Sequence, residues 1–254
     1  MLRILLTLVL IAALLYLACC VLLFACQRSL IYFPRPPSPA PGASTITLRS
    51  EGTEVRVTAK PRRGPDAVVY FGGNAEDVNF SLPDLAAAFP EHALYLMHYR
   101  GYGGSSGKPS EVGLVADGLA LFDRVRTEHP NVVVIGRSLG SGVAIRLASS
   151  RPVSRLILVT PYDSLVGLAA RQYAIFPVRW LMRDKFESWR YAPKVTAPTL
   201  LVAAEHDEVV PRTSTEALYA RFPAGLATLR VVAGTGHNTL QESPEYVPLL
   251  QGAP

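Results

Sequence analysis

The hydropathy pattern begins with one continuous apolar run, Ile4–Cys26, in which Thr7 is the only residue outside the apolar set. No charged residue occurs between Arg3 and Arg28. At about 1.5 Å per residue, a helix of this length would span a hydrocarbon core of roughly 30 Å. We therefore predict a single N-terminal transmembrane anchor over residues 1–26.

Three interpretations of this segment are compatible with its residues. An uncleaved signal anchor is favoured, because the run is long and ends without a small-residue cleavage site. In the second, the tetrapeptide Leu-Phe-Ala-Cys that ends at Cys26 resembles a bacterial lipobox, and Cys26 would carry a lipid. In the third, the segment is cleaved and the domain is secreted. The flanking positive charges are nearly balanced, and the short leading tail favours a domain on the extracytoplasmic side of the membrane.

The pattern changes after the anchor. Residues 27–43 are rich in proline and predict an extended linker. In residues 44–254, predicted strands alternate with predicted helices. Two alternating segments and six short apolar runs predict strands: Thr45–Arg49, Glu54–Thr58, Ala67–Phe71, Ala93–Tyr99, Val132–Ile135, Leu156–Thr160, Leu200–Ala204 and Leu229–Val232. Helices are predicted between most of them: Leu82–Phe89, Glu111–Glu128, Ser141–Ser150 and Ser214–Phe222.

This alternation predicts an α/β domain with a mostly parallel central sheet and helices on both faces. The rhythm breaks over residues 162–192, a segment that is rich in aromatic side chains. We predict that this insert forms a small helical lid over the carboxyl ends of the strands, where ligands bind in such sheets.

Composition adds limits to this picture. Hydrophobic residues make up 49% of the 254 residues and charged residues only 18%, which excludes a disordered chain. All three cysteines lie in the anchor, which excludes a disulfide scaffold. Of the 25 lysines and arginines, only Arg3 precedes residue 27. The part of the chain after the anchor therefore has 24 basic and 20 acidic residues, which gives it a net charge of +4. The basic residues are scattered singly, which argues against a nucleic acid partner.

A candidate nucleophile lies between a predicted strand and a predicted helix, in Gly136-Arg137-Ser138-Leu139-Gly140. A serine on such a sharp turn needs glycine on either side, because larger side chains would clash with the neighbouring elements. A glycine-rich turn or a phosphate loop is the alternative, but the spacing matches neither a dinucleotide fingerprint nor a Walker loop. We predict Ser138 as the nucleophile and the Leu139 backbone N–H as one oxyanion donor.

A serine nucleophile needs a base and an orienting carboxylate. His237 follows the last predicted strand between glycine-rich residues, and Asp207 follows the strand before it. We predict these two residues as the base and the acid. Asp163 is the runner-up acid, although its preferred interpretation is a helix cap. The remaining histidines are weaker candidates (His98 and His206) or solvated residues at helix ends (His92 and His129).

The loop after the strand Ala67–Phe71 reads Gly72-Gly73-Asn74-Ala75. Its paired glycines allow the backbone to turn and face a substrate, so we predict Gly72 and Gly73 as substrate-contacting residues. The second oxyanion donor is assigned to the Asn74 N–H. Tyr162, at the start of the insert, is predicted to line an acyl pocket.

Together these motifs resemble the α/β-hydrolase superfamily over roughly residues 30–250. The resemblance is greater to a membrane-anchored branch that includes eukaryotic protein depalmitoylases and bacterial homologues. Besides the candidate triad, it is carried by Gln27–Pro34, Phe71–Asp77, Tyr99–Glu111 and Gly136–Gly140. The branch usually has His-Gly where this chain has Gly72-Gly73, which removes a side chain from the pocket rim.

The resemblance implies hydrolysis of an ester or thioester through an acyl-enzyme, with no metal and no cofactor. The substrate would be a small or lipid-like acyl compound, and the oligomeric state stays open. Two alternatives remain: an amide-cleaving serine aminopeptidase, and a non-catalytic scaffold tethered to the membrane.

Overall fold

The computed structural model describes residues 1–252, in which one long N-terminal helix precedes an eight-stranded sheet. The strands are β1 Ser44–Ser50, β2 Thr53–Lys60, β3 Asp66–Phe71, β4 Ala93–Met97, β5 Asn131–Arg137, β6 Arg155–Val159, β7 Thr199–Ala204 and β8 Ala227–Val232. The helices are α1 Leu2–Ile31, α2 Leu82–Ala88, α3 Glu111–Glu128, α4 Leu139–Ala148, α5 Leu165–Gln172, α6 Val178–Leu181, α7 Arg212–Tyr219 and α8 Tyr246–Gln251.

The sheet order is β1-β2-β4-β3-β5-β6-β7-β8, and β2 runs antiparallel to both of its neighbours while β3 to β8 are parallel. The prediction of a mostly parallel α/β sheet is confirmed. The central strands are apolar on both faces because helices cover both, and every residue of Ala67–Phe71 is fully buried. The edge strand β8 instead alternates between half-buried and exposed residues.

Two cores lie on opposite faces of the sheet. On one face α3 and α4 pack against β3 through side chains such as Phe71, Phe122 and Val143. On the other face α2 and α8 pack around Tyr70 and Leu85. Tyr70 and Phe71 point into different cores because successive side chains alternate across a strand. This two-sided packing fixes the strand ends on which the site is built.

Helix α1 is long and apolar enough to cross a membrane, and most of its surface is exposed in the structure. The helix continues to Ile31, past the predicted anchor boundary at residue 26, so the start of the predicted linker is helical. The last turns of α1 lie against the insert between β6 and β7, which contains α5 and α6.

The insert corrects one interpretation made from the sequence. Helix α5 is capped by Ser164, whose Oγ accepts the Gly167 N–H at 3.2 Å. Asp163, which was preferred as the helix cap, lies one residue too early. The cap requires the extended backbone that Ser164 adopts just before the first helical residue.

Candidate active site

The turn between β5 and α4 holds Ser138 in a strained conformation, with φ 47° and ψ −114°. A Cβ atom at Gly136 would lie 2.5 Å from the Gly140 carbonyl oxygen. A Cβ atom at Gly140 would lie 2.1 Å from the Phe71 carbonyl oxygen. Both glycines of the motif are therefore required by close backbone approach, which is the packing predicted for a nucleophile elbow.

Three predicted site residues meet at this turn. Ser138 Oγ lies 2.9 Å from His237 Nε2, and His237 Nδ1 lies 2.9 Å from both carboxylate oxygens of Asp207. The side chains of His237 and Asp207 are only 6% and 4% exposed, so little water competes for these bonds. With Nδ1–H donating to the carboxylate, Nε2 carries the lone pair that can accept the serine proton.

The loop after β7 fixes the carboxylate. Asp207 Oδ1 also accepts the backbone N–H groups of Val209, at 2.9 Å, and Val210, at 2.6 Å. Next to it, Glu208 Oε2 accepts the backbone N–H of His237 at 3.1 Å. Hydrogen bonds from its own N–H and from that of His237 lower the pKa of Glu208. Sequence reasoning missed Glu208, whose partner is fixed only when the β7 and β8 loops meet.

The two predicted oxyanion donors flank Ser138. Leu139 and Asn74 line the same pocket as the serine. Within residues 1–252, neither backbone N–H donates a hydrogen bond to another protein group. The tight contact of Gly140 on the Phe71–Gly72 backbone holds the two donor segments together. This arrangement leaves both N–H groups available to a ligand oxygen.

The Asn74 side chain has a separate role that the sequence did not indicate. Its Nδ2 donates to the Ile31 carbonyl, at the end of α1, at 2.6 Å. Its Oδ1 accepts the Phe33 N–H at 3.1 Å and the Tyr102 hydroxyl at 2.9 Å. The amide group therefore ties the oxyanion loop to the end of the anchor helix.

A buried ion pair connects the elbow to the oxyanion loop. Arg137 Nη1 lies 2.9 Å from Glu76 Oε2, and the two side chains are only 10% and 9% exposed. Glu76 also accepts the Tyr70 hydroxyl at 2.7 Å and the Gly73 N–H at 2.5 Å. Burial opposes the charge of Arg137, but the Glu76 carboxylate and the neighbouring tyrosines Tyr70 and Tyr246 together outweigh it and raise the pKa of the guanidinium.

This pair was also missed from the sequence. One available signal was a charged residue inside the elbow, between a buried strand and a buried helix, because a buried charge needs a partner. Arg137 Nη2 further contacts the His237 carbonyl at 3.4 Å. The guanidinium thus touches the segments that carry all the predicted site residues except Asp207 and Tyr162.

A pocket of about 640 Å³ opens in front of Ser138, a volume typical of small-molecule sites. Tyr162 lines it, and its buried hydroxyl donates to the Leu139 carbonyl at 3.2 Å. Burial raises the pKa of this tyrosine. Gly73 packs beside Ser138 but does not line the pocket, and Gly72 is turned towards Val78. The pocket walls are mostly apolar side chains of α1, α5 and α6.

The side chains of the other candidate residues make no hydrogen bond to His237. Asp163 hydrogen-bonds to Ser214 rather than to a histidine. His98 is buried with its Nε2 at 2.8 Å from the Thr58 hydroxyl, and His206 is exposed beside Glu205.

The interpretation of His129 as a solvated residue is wrong. It is buried, with Nδ1 at 2.8 Å from the Gly64 carbonyl and Nε2 at 3.2 Å from the Tyr95 hydroxyl. Two polar partners, one in the loop before β3 and one in β4, allow the ring to be enclosed. Within residues 1–252, no group of three or more His, Cys, Asp or Glu side chains is placed to hold a metal ion.

Comparison with known proteins decides the family. Residues 64–197 match the model of the alpha/beta hydrolase family, and residues 178–244 match that of the serine aminopeptidase S33 hydrolases. An uncharacterized protein of Mycobacterium tuberculosis is 36% identical over 229 residues, which cover 84% of this chain and 80% of that protein. The chain belongs to the alpha/beta hydrolase family. The predicted family and fold are thereby confirmed, and the protein is a hydrolase.

A second relative matches a shorter part of this hydrolase. Alpha/beta hydrolase domain-containing protein 17C of Xenopus tropicalis is 33% identical over 165 residues. This match covers 62% of the hydrolase but only 51% of that relative, so the chain spans about half of its length.

Two esterase structures share the fold. Esterase Pf2001 of Pyrococcus furiosus has a TM-score of 0.67 at 17% identity, covering 84% of the hydrolase and 91% of the esterase. Est1E of Butyrivibrio proteoclasticus, solved with ferulic acid, has a TM-score of 0.64 at 16% identity, covering 82% and 95%.

Proposed function

We propose that the protein is a serine hydrolase that cleaves carboxylic ester or thioester bonds through an acyl-enzyme. One observation carries the proposal: Ser138, His237 and Asp207 form a continuous hydrogen-bonded chain with each step at 2.9 Å, and Ser138 lines a mostly apolar pocket. Such a chain activates a serine, which is a weak nucleophile alone.

In the first half-reaction, Ser138 Oγ attacks the acyl carbonyl carbon while His237 Nε2 takes the hydroxyl proton. Asp207 holds the ring with Nδ1–H towards the carboxylate and stabilises the imidazolium that forms. When the tetrahedral intermediate collapses, the bond to the leaving group breaks. His237 returns the proton to the leaving alcohol or thiol, and the acyl group stays on Ser138.

Water then completes the cycle. His237 takes a proton from a water molecule, whose oxygen attacks the acyl carbonyl, and the proton passes to Ser138 Oγ as the carboxylic acid leaves. The backbone N–H groups of Leu139 and Asn74 receive the oxyanion in both halves. One such donor is worth about 3–4 kcal/mol of transition-state stabilisation.

Amide cleavage is the second candidate activity, favoured by the match of residues 178–244 to serine aminopeptidases. The apolar pocket supports an acyl substrate instead, because it offers a long hydrocarbon-compatible surface and few polar groups. Hydrolysis of p-nitrophenyl esters in preference to amino-acid p-nitroanilides supports the ester assignment, and the reverse preference supports a peptidase.

We also propose that α1 keeps the domain at a membrane as a single-pass anchor, with the domain on the extracytoplasmic side. A reporter fused to the carboxyl end tests this orientation, and a reporter signal from the cytoplasm would contradict it. Mass spectrometry of the mature chain distinguishes an intact anchor from cleavage and from lipid attachment at Cys26.

The catalytic proposal is tested with p-nitrophenyl butyrate and the full chain in detergent. Ser138→Ala and His237→Ala should each abolish hydrolysis. Their matched controls replace residues outside the site: Ser154→Ala and His206→Ala, both at exposed positions, should retain it. Retained hydrolysis in Ser138→Ala would contradict the assignment of the nucleophile. A folded wild type that hydrolyses no ester, thioester or anilide would support the scaffold alternative.

A further inference from the structure

The anchor helix is docked on the insert along its second half. The Tyr16 hydroxyl donates to the Ile175 carbonyl at 2.8 Å. One turn before the end of α1, Gln27 Nε2 donates to the Leu181 carbonyl at 3.1 Å. These contacts run from the middle of α1 to its end, so the helix is not a free tether.

An ion pair closes this contact. Arg28 Nε lies 2.9 Å from Asp184 Oδ2, and the Asp184 side chain is only 3% exposed. The Arg183 N–H also donates to Gln27 Oε1 at 2.7 Å. The charged contact sits at the end of α1 nearest the domain, and between Tyr16 and Gln27 the helix carries only apolar side chains.

The same helix forms one wall of the pocket. Leu23, Leu30 and Ile31 of α1 face the pocket, and Leu168 and Phe176 from the insert line the other side. Ser138 lines the same pocket. An acyl chain bound in this pocket would therefore extend from the serine along the helix that carries the membrane-spanning sequence.

Helix length sets how deep the insert must lie. The part of α1 before its first contact, Leu2–Leu15, is about 21 Å long at about 1.5 Å per residue. To cross a hydrocarbon core of roughly 30 Å, the helix needs about 9 Å more, or about six further residues. These residues begin at Tyr16 and end near Val21, so Tyr16 lies about 9 Å inside the boundary of the core. The tip of the insert contacts Tyr16, so it is carried to the same depth. Interfacial segments lie at about 5–10 Å, which agrees with this figure.

The surface of the insert tip has the side chains that such a position requires. Ile175 and Trp180 are 75% and 89% exposed, and Tyr173 is half-exposed. Arg171 and Arg179 lie beside them and are also exposed. Tryptophan, tyrosine and arginine are typical of the boundary between hydrocarbon and water, where long basic side chains reach the headgroups.

Backbone groups at this depth need partners inside the protein, because hydrocarbon offers none. At the tip, the Ile175 carbonyl accepts from the Tyr16 hydroxyl of α1; nearer the domain, the Leu181 carbonyl accepts from Gln27 Nε2. The anchor thus supplies hydrogen bonds that an isolated insert would lack. The aromatic ring of Tyr16 also stacks on Phe176, with ring centroids 5.8 Å apart.

We infer that the tip of the insert enters the membrane leaflet nearest the domain, beside α1, and that the pocket opens between them towards the hydrocarbon. The substrate is then an ester or thioester whose acyl chain resides in the bilayer and reaches Ser138 laterally, along Leu23 and Leu30, without passing through water. The acyl chemistry rests on the proposed function, whereas the insertion of the tip does not.

The insertion is tested by fluorescence, because the chain has only two tryptophans, Trp180 and Trp189. The full chain is reconstituted in phosphatidylcholine vesicles with or without brominated acyl chains. In Trp189→Phe, bromine should quench the emission of Trp180 strongly. In the matched control Trp180→Phe, the emission of Trp189, which lies half-buried between Arg190 and Arg221, should change little.

Equal quenching of the two tryptophans, or none for Trp180, would overturn the insertion. If Trp189→Phe does not fold, the difference between the wild type and Trp180→Phe isolates the same signal. Vesicle flotation confirms that each variant is bound to the membrane. None of these readouts depends on catalysis.

The lateral route is tested with Leu23→Trp, which narrows the pocket at α1. The measured quantity is the ratio of kcat/KM for vesicle-borne p-nitrophenyl palmitate to that for p-nitrophenyl butyrate. This ratio should fall about tenfold or more, the usual effect of reshaping an apolar pocket. The matched control Leu22→Trp places the same bulk on the lipid-facing side of α1 and should leave both rates unchanged.

An unchanged ratio in Leu23→Trp would overturn the lateral route. This outcome is distinct from a failure of the proposed function, in which the wild type hydrolyses neither ester and Ser138→Ala makes no difference. In that case the fluorescence result still decides the insertion of the tip.

Discussion

Replacing Glu76 with glutamine removes the carboxylate that faces Arg137 and leaves the side-chain shape almost unchanged. In the structure this carboxylate accepts from the guanidinium, from the Tyr70 hydroxyl and from the Gly73 N–H. The variant Glu76→Gln would therefore leave an arginine charge enclosed at the elbow and weaken the support of the oxyanion loop.

The expected loss of stability is large because both side chains are at most 10% exposed. Removing one member of a buried ion pair costs about 3–5 kcal/mol. A domain is stable by only about 5–15 kcal/mol, so Glu76→Gln should lose about a fifth or more of its free energy of unfolding. The double variant Glu76→Gln/Arg137→Met removes both charges and should recover most of this loss.

The assay is urea unfolding of the full chain in detergent, followed by tryptophan fluorescence. The matched control is Glu91→Gln, which breaks an exposed pair with Arg62 and should cost less than about 1 kcal/mol. If Glu76→Gln and Glu91→Gln lose the same free energy, the buried pair does not hold the elbow. A double variant as unstable as Glu76→Gln would refute the same reasoning.

Three further predictions concern the site and the fold. Asp207→Asn should lower kcat about 10⁴-fold in the butyrate assay, because the histidine loses its orienting acceptor, and Asp163→Asn should have a small effect. Gly140→Ala should destabilise the domain by at least about 1–3 kcal/mol in urea unfolding, because its Cβ atom would meet the Phe71 carbonyl. Burial lowers the pKa of His98, so this histidine binds a proton more readily in the unfolded chain than in the folded one. The free energy of unfolding should therefore fall as pH drops below about 6.5, and it should fall less steeply in His98→Gln. These predictions would be contradicted if Asp207→Asn were as active as Asp163→Asn, or if Gly140→Ala were as stable as the wild type. The third would be contradicted if the stability of His98→Gln fell with pH as steeply as that of the wild type.

The sequence indicated the fold because each signal was local. Buried parallel strands need apolar side chains on both faces, so runs such as Ala67–Phe71 stand out from the chain. The elbow was found for the same reason, since its two glycines and Ser138 lie within five residues. Ser138, Asp207 and His237 follow β5, β7 and β8, and this order along the chain predicted which side chains would meet.

The supporting contacts could not be predicted because they join distant segments. Arg28 and Asp184 are 156 residues apart, and Arg137 and Glu76 are 61 apart. The hydropathy pattern along the chain does not indicate which loop will contact which helix end. The role of the Asn74 side chain was hidden for the same reason, because its partner, the Ile31 carbonyl, belongs to a helix predicted to end before it.

Covalent labelling tests the central claim most directly. A fluorophosphonate probe should phosphonylate the wild type, and peptide mapping should place the adduct on Ser138. The reaction should be lost in Ser138→Ala and strongly slowed in His237→Ala, because the serine then has no base. Equal labelling of the wild type and Ser138→Ala, or an adduct on another residue, would contradict the assignment of Ser138 as the nucleophile of this hydrolase.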